Sequence, residues 1–288
     1  MNLIRLTTSI FFGRLILPAV LVLSHLLAAA GPVNFSEPNV PPPLADLRPM
    51  FKTWELAPLP QGSRGTCSVF VVAGALEYAS ARHHHAGQRF SVEYLNWASN
   101  QVVGQCVDGG FFADLWKGFS AFGICPAPDM PYQDRFDPNL APSEEARIHA
   151  DRCLSDDLRN HWIKPWDINT GLTDAQLTAV KQVIGQGWPV CGGFRWPKHP
   201  VWKDDVLEMA PPENVFDGHS LLLVGYRDDP QQPGGGVFVF RNSNSDHSEG
   251  WMTYQYAAAY MNDAMWISTQ PDRKRQEPVN RNGSSEQP

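Results

Sequence analysis

Residues Cys67 to Ala79 are apolar almost all round a helical wheel, with Glu77 the one charged exception. A helix without a polar face is stable only when other elements enclose it on most sides. The chain must therefore build at least one layer on each flank of this segment, which we expect to be helical from Cys67 to about Ala81. Glu77 then needs a partner or a polar edge. Polar turn residues, Gln61 to Thr66, run directly into the helix and place Cys67 at its first turn. Free N–H groups and the positive end of the helix dipole at that position favour a thiolate, the nucleophilic form of cysteine.

The 288 residues suffice for one large domain or two small ones with a sizeable core. The net charge is −7 and no basic stripe is present, which argues against nucleic-acid binding. Residues 1–30 read as an export signal: Arg5 and Arg14 precede the apolar run Leu15 to Leu27, and Ala28-Ala29-Ala30 follows as a small-residue cleavage pattern. An uncleaved membrane anchor over residues 10–30 is the alternative. Export implies an oxidising compartment. Five cysteines leave at least one unpaired; if Cys67 is free, Cys106, Cys125, Cys153 and Cys191 pair in one of three ways, with Cys125–Cys153 across a proline-rich loop the preferred one. No metal or other cofactor is expected.

Residues 31–45 are a proline-rich, extended lead-in, and 271–288 are polar and expected to be disordered. Trp54 and Leu56 begin the packed body. Ser91 caps a helix carrying Tyr94, Leu95 and Trp97, and Phe111 to Phe122 has helical spacing. Thr173-Asp174-Ala175-Gln176 is a capping box that starts a helix ending at Gly185 or Gly187. The pattern then changes to strands: Trp188–Phe194, Ser220–Tyr226, Val237–Arg241 and Trp251–Tyr256, with a turn at Gly234-Gly235-Gly236. Helices in the first half and strands in the second suggest an α+β class with two lobes divided near residue 165.

A catalytic cysteine needs a base, and the base needs an orienting group. His219 stands just before the strand Ser220–Tyr226, and Asn242 just after Val237–Arg241. Antiparallel pairing of these strands puts the two side by side at one rim, with the Asn carbonyl on one imidazole nitrogen and the other nitrogen facing Cys67. Gln61, six residues before Cys67, offers a side-chain NH₂ to an oxyanion, with the Cys67 backbone N–H as second donor. Three motifs are thus spaced along the chain: Gln61-Gly62 with Cys67; Gly218-His219 before an apolar strand ending Gly225-Tyr226; and Arg241-Asn242-Ser243 followed by Gly250-Trp251. Together, over residues 46–270, they resemble the papain-family cysteine peptidases of the bacterial-type branch, where Asp46-Leu47-Arg48-Pro49 also has its counterpart.

The resemblance implies a papain-like two-lobe α+β fold, with a helical left lobe, a β-barrel-like right lobe and the active-site cleft between. It implies a thiolate–imidazolium mechanism through a thioester, with Cys67 as nucleophile, His219 as base and then acid, Asn242 as orienter and Gln61 in the oxyanion hole. It also implies Gly109 and Gly110 as the cleft-lining glycine pair that binds a polypeptide substrate. Three positions depart from the family pattern. Arg64 stands where a cysteine is usual, so Cys106 lacks its usual mate; Ser68 and Asn244 stand where tryptophans are usual. The second of those tryptophans shields the His–Asn hydrogen bond from water. The leading expectation is a secreted or periplasmic cysteine peptidase acting on polypeptides, with no stable membrane association once the signal is removed. The competing expectations are a catalytically weakened papain-like fold serving as a peptide-binding or scaffolding protein, and a Cys–His acyltransferase.

Overall fold

The computed structural model describes residues 40–154 and 157–269. The chain divides into a unit Met1–Gly31, which lies outside the described residues, and a unit Pro32–Pro288 that contains everything below. The expected export signal over 1–30, most of the lead-in and the tail over 271–288 therefore lie outside the described residues, apart from positions 40–45 at the end of the lead-in.

The lead-in ends inside the sheet. Strand β1 (Leu44–Asp46) pairs with the long strand β6 (Val215–Asp228), and the carbonyls of Pro42 and Pro43 accept from the Tyr226 hydroxyl and the Asp228 N–H. Helix α1 (Arg48–Thr53) follows with Pro49 in its first turn, where a missing N–H costs nothing. Leu47, Phe51, Trp54 and Leu56 are buried, so the body does begin packing here.

Helix α2 runs from Cys67 to His84, three residues past the expected end, and His85 caps it in the left-handed conformation. Thirteen of its residues are buried, as the lack of a polar face requires. Glu77 has its partners: the Arg89 guanidinium at 2.9 Å and the Phe90 N–H at 2.9 Å. Helices α3 (Val92–Val103) and α4 (Phe112–Phe122) pack on α2, with Ser91 capping α3 through the Tyr94 N–H. Helix α5 (Glu144–Cys153) completes the helical half, and Thr173 and Gln176 make both bonds of the capping box at α6 (Asp174–Gly185).

The other flank of α2 is a nine-stranded sheet. Its main path is β2 (Leu158–Lys164), β9 (Met261–Thr269), β3 (Val190–Pro197), β6, β7 (Gly236–Arg241), β8 (Glu249–Thr253), β5 (Val206–Leu207) and β4 (Trp202–Lys203). The β6–β7 hairpin forms through the glycine turn, antiparallel as expected. The run expected as one strand to Tyr256 breaks at Thr253, whose hydroxyl caps a short helix α7 (Tyr254–Tyr260) through the Tyr256 N–H. Strands β2 and β9 carry aromatic and polar residues without clean alternation, because β9 is buried on both faces. Among the described residues no helix is long and apolar enough to cross a membrane. None of the five cysteines is in a disulfide, so the expected Cys125–Cys153 bridge is not formed: Cys125 is buried in the small cluster with Tyr94 and Met130, whereas Cys153 packs against the main core.

Helices α3 and α4 meet at Gly118. A Cβ there would lie 2.5 Å from the Ser99 backbone nitrogen. Gly118→Ala should gain about 1 kcal/mol in helix propensity and lose more to overpacking. The expected net loss is about 1–3 kcal/mol, read as a lower urea midpoint at unchanged m-value.

Candidate active site

Thr66 precedes α2 without capping it: its side chain makes no cap hydrogen bond and instead pairs with the Tyr132 hydroxyl at 2.7 Å. The first N–H groups of α2 are therefore left without a side-chain acceptor around Cys67. The Cys67 side chain is 8% exposed, and Sγ lies 3.6 Å from the Gly218 carbonyl, in the peptide joined to His219.

His219 does not precede its strand, as expected, but lies within it. Strand β6 extends back to Val215, and a bulge against β3 falls at Gly218, between the pairs Phe194↔His219 and Arg195↔Asp217. Gly218 takes φ +104°, a conformation that favours glycine. A bulge bends the strand and re-aims the next side chain, here His219. His219 Nε2 is 3.1 Å from Asn242 Oδ1, just past the end of β7. Asn242 is buried and fixed by its N–H to the Ser248 carbonyl, and Oδ1 also accepts from the Asn244 N–H. Cys67 and His219 line one cleft of about 380 Å³ with Ser68, Gly110, Phe111, Trp166, Asn262 and Asp263.

Gln61 lines a second cavity of about 270 Å³, on the other side of His219, with Trp196, Ser243 and Asn244. Its amide is held at both ends. Oε1 accepts from the Ser243 hydroxyl at 2.5 Å, and Nε2 donates to the Arg64 carbonyl at 2.7 Å. One amide hydrogen is left for a further acceptor.

The three departures have structural replacements. Arg64, buried, binds Glu93 (2.6 Å) and Asp108 (2.7 Å), donates to the Gln133 carbonyl and lies over the Tyr132 ring. Asp108 immediately precedes the glycine pair. The ion pairs thus tie the loop before Cys67 to the loop carrying Gly109 and Gly110, without a disulfide. Gly109, at φ +77°, packs against Gly65, where a Cβ would lie 2.4 Å from the carbonyl oxygen. Gly110 faces the cleft, and its N–H donates to the Ser68 hydroxyl at 3.2 Å, a bond that an indole at position 68 does not accept. Trp196, at the end of β3, packs on His219 at 4.7 Å between ring centroids. It puts an indole beside the imidazole where Asn244 supplies none. The sequence signal for Trp196 was only an aromatic near a strand end, too common to single out.

The electrostatics differ from the expected ion pair. Burial pushes the Cys67 thiol up, against hydrogen bonds from Ser220 and from the backbone at Ser68 and Cys67. Burial pushes His219 down to about 4, against the Asn242 hydrogen bond. Both directions favour a neutral thiol and a neutral imidazole in the unliganded cleft. Asp263 is likewise pushed up to about 7 by burial, with the Gly193 N–H and Lys164 opposing.

No family model matches the sequence. A curated relative, an uncharacterised peptidase C1-like protein of Acanthamoeba polyphaga mimivirus, is 20% identical over 199 residues, 65% of this chain; the chain spans 60% of that relative's length. Xylellain, a cysteine protease from Xylella fastidiosa, superposes with a TM-score of 0.65 at 21% identity, over 80% of this chain and 87% of that one. Digestive procathepsin L 3 of Tenebrio molitor gives 0.60 at 17%, over 83% and 73%. The protease and lectin-like domains of Cwp84, a surface layer associated protein of Clostridium difficile, give 0.57 at 16%, over 80% and 53%. The chain has the papain-like α+β fold of these cysteine proteases. The right-hand half is looser than a barrel: the strand path runs from β2 to β4.

Two outcomes follow. Trp196→Ala admits water to His219 and should raise its pKa by about one unit towards the unperturbed value, measured by NMR titration of the imidazole. Arg64→Met strands two carboxylates in a buried site and should cost about 3–5 kcal/mol in urea unfolding. Adding Glu93→Gln should recover part of that loss.

Proposed function

We propose that this chain is a cysteine peptidase in which Cys67, His219 and Asn242 carry the reaction. The observation that carries the reading is the meeting of three elements: the uncapped start of α2 brings Cys67 Sγ to the Gly218 peptide, and the adjacent His219 is held by Asn242. As Sγ attacks a peptide carbonyl, His219 takes the thiol proton through the ring nitrogen not engaged by Asn242. The tetrahedral oxyanion is met by the Cys67 N–H and the remaining Gln61 amide hydrogen. Collapse of the intermediate breaks the C–N bond, and His219 returns the proton to the leaving amine. Water then hydrolyses the thioester, again with His219 as base.

In this reading the thiolate forms during attack rather than standing ready, because burial disfavours both charges. That burial also supports a second reading, a papain-like fold that binds peptides without cleaving them. The two separate on covalent chemistry. A peptide epoxide should label Cys67 in an active enzyme and leave a purely binding site unlabelled. The residue pattern over 1–30 supports export of the peptidase as part of the same proposal.

Cys67→Ala should abolish hydrolysis of a casein or fluorogenic peptide substrate; retained hydrolysis sinks the assignment. Alkylation of Cys67 by iodoacetamide, followed by peptide mass spectrometry, should climb with pH through about 8.5 and beyond. A plateau reached below pH 7 would instead show a preformed thiolate.

A further inference from the structure

Strand β9 is buried along almost its whole length and is apolar except for polar positions that include Asn262 and Asp263 beside the cleft. A carboxyl and an amide in such a strand are costly unless they meet donors. The chain is arranged around both. Asp263 lies opposite Gly193 of β3, and a Cβ at Gly193 would stand 2.0 Å from Asp263 Oδ1, so the carboxyl occupies the space a side chain would fill. The β3–β9 register shifts between Gly193 and Phe194 and leaves Asn262 outside the pairing. Such a bulge turns side chains that would alternate towards one wall.

The floor so formed has too few donors. Asn262 Oδ1 is buried with no hydrogen-bond partner among the described residues, on a side chain 95% buried. Lys164 is the nearby cation, but its ammonium already donates to three carbonyls, those of Asn169, Gly171 and Met261. The rim is aromatic: Phe111 and Trp166, each about half exposed, stand edge to face at 5.2 Å. Surplus acceptors below and aromatic faces above fit a cation on a long apolar stem, and a planar guanidinium best.

We propose that this cleft takes a basic side chain of the polypeptide substrate, with Asp263 as the specificity-determining residue and Asn262 as a second acceptor. The inference rests on the peptidase reading for its orientation. His219 protonates the leaving amine, so the leaving group lies towards the cavity beyond His219, and the cleft holding Cys67 receives the acyl side. The basic residue therefore precedes the scissile bond.

Blocked peptides that differ only in arginine against citrulline, placed in turn at the three positions before the scissile bond, test this by calorimetry on the Cys67→Ala protein. Citrulline keeps the shape and removes the charge. At one position the arginine peptide should bind at least about tenfold tighter, a ratio typical of a charge-assisted hydrogen bond. Asp263→Asn in the same background should bring that ratio to within about twofold of one. Ratios within about twofold at every position with Asp263 intact overturn the inference, and this measurement needs no Asp263 variant to fold. If the arginine preference holds while the wild-type protein cleaves none of the arginine peptides, the recognition site stands and the peptidase reading falls.

Discussion

Helix α2 has no polar face to give to water, and the rest of the molecule is arranged to enclose it. Helices α3 and α4 cover one flank, and β3, β6 and β9 cover the other. The enclosure leaves the helix N-terminus as its chemically open end. The residue at that end is Cys67, held where the edge of the helical half meets the bulged stretch of β6. Placing His219 beside it requires one departure from regular strand geometry, and Gly218 supplies it through a φ that favours glycine. The cleft is thus a consequence of two burial requirements meeting at a glycine bulge.

The same junction is held by charge in place of a covalent link. Arg64 joins the Gln61 loop, helix α3 and the glycine-pair loop through Glu93, Asp108 and the Gln133 carbonyl. A buried guanidinium with two carboxylates does not stabilise more than a packed apolar cluster would, but it fixes one arrangement strongly once formed. Its carbonyl also holds the Gln61 amide. Cys106, left without a partner by the same substitution, stays a surface thiol against the Pro138 carbonyl.

Local chemistry was readable in the sequence where it was decided locally. The capping box at Thr173, the Ser91 cap, the burial of α2 and the glycine hairpin between β6 and β7 depend on neighbours within a few residues. The pairing of β6 with β7 then brought His219 and Asn242 within 3.1 Å. What the sequence did not disclose depends on distant contacts. Helix α7 hides in a segment with strand-like composition because Thr253 caps it. Trp196 acquires its meaning from a ring 23 positions away. Asp263 is a polar interruption in an apolar run, but β9, buried on both faces, has no alternation in its sequence to mark it as a strand. The start of β6 is hidden in the sequence because Phe216 and Gly218 are exposed and give no buried pattern.

The protonation state of the site has a consequence for a protein in which none of the five cysteines is in a disulfide. Oxidation of cysteine proceeds through the thiolate, so burial that keeps Cys67 protonated also protects it. In the proposed reaction the cost is a nucleophile that must be deprotonated at each turnover. One contact at His219 lowers that cost and burial opposes it: the Asn242 carbonyl accepts from one imidazole nitrogen, Trp196 packs against the ring, and the other nitrogen is left to take the proton. A ring held neutral by its surroundings accepts a proton readily only if the product cation is stabilised. In the proposed reaction the Asn242 carbonyl would provide that stabilisation, and so would the oxyanion that forms as the proton moves. On that proposal charge appears as a pair, at the moment of attack, inside a cleft that disfavours either charge alone.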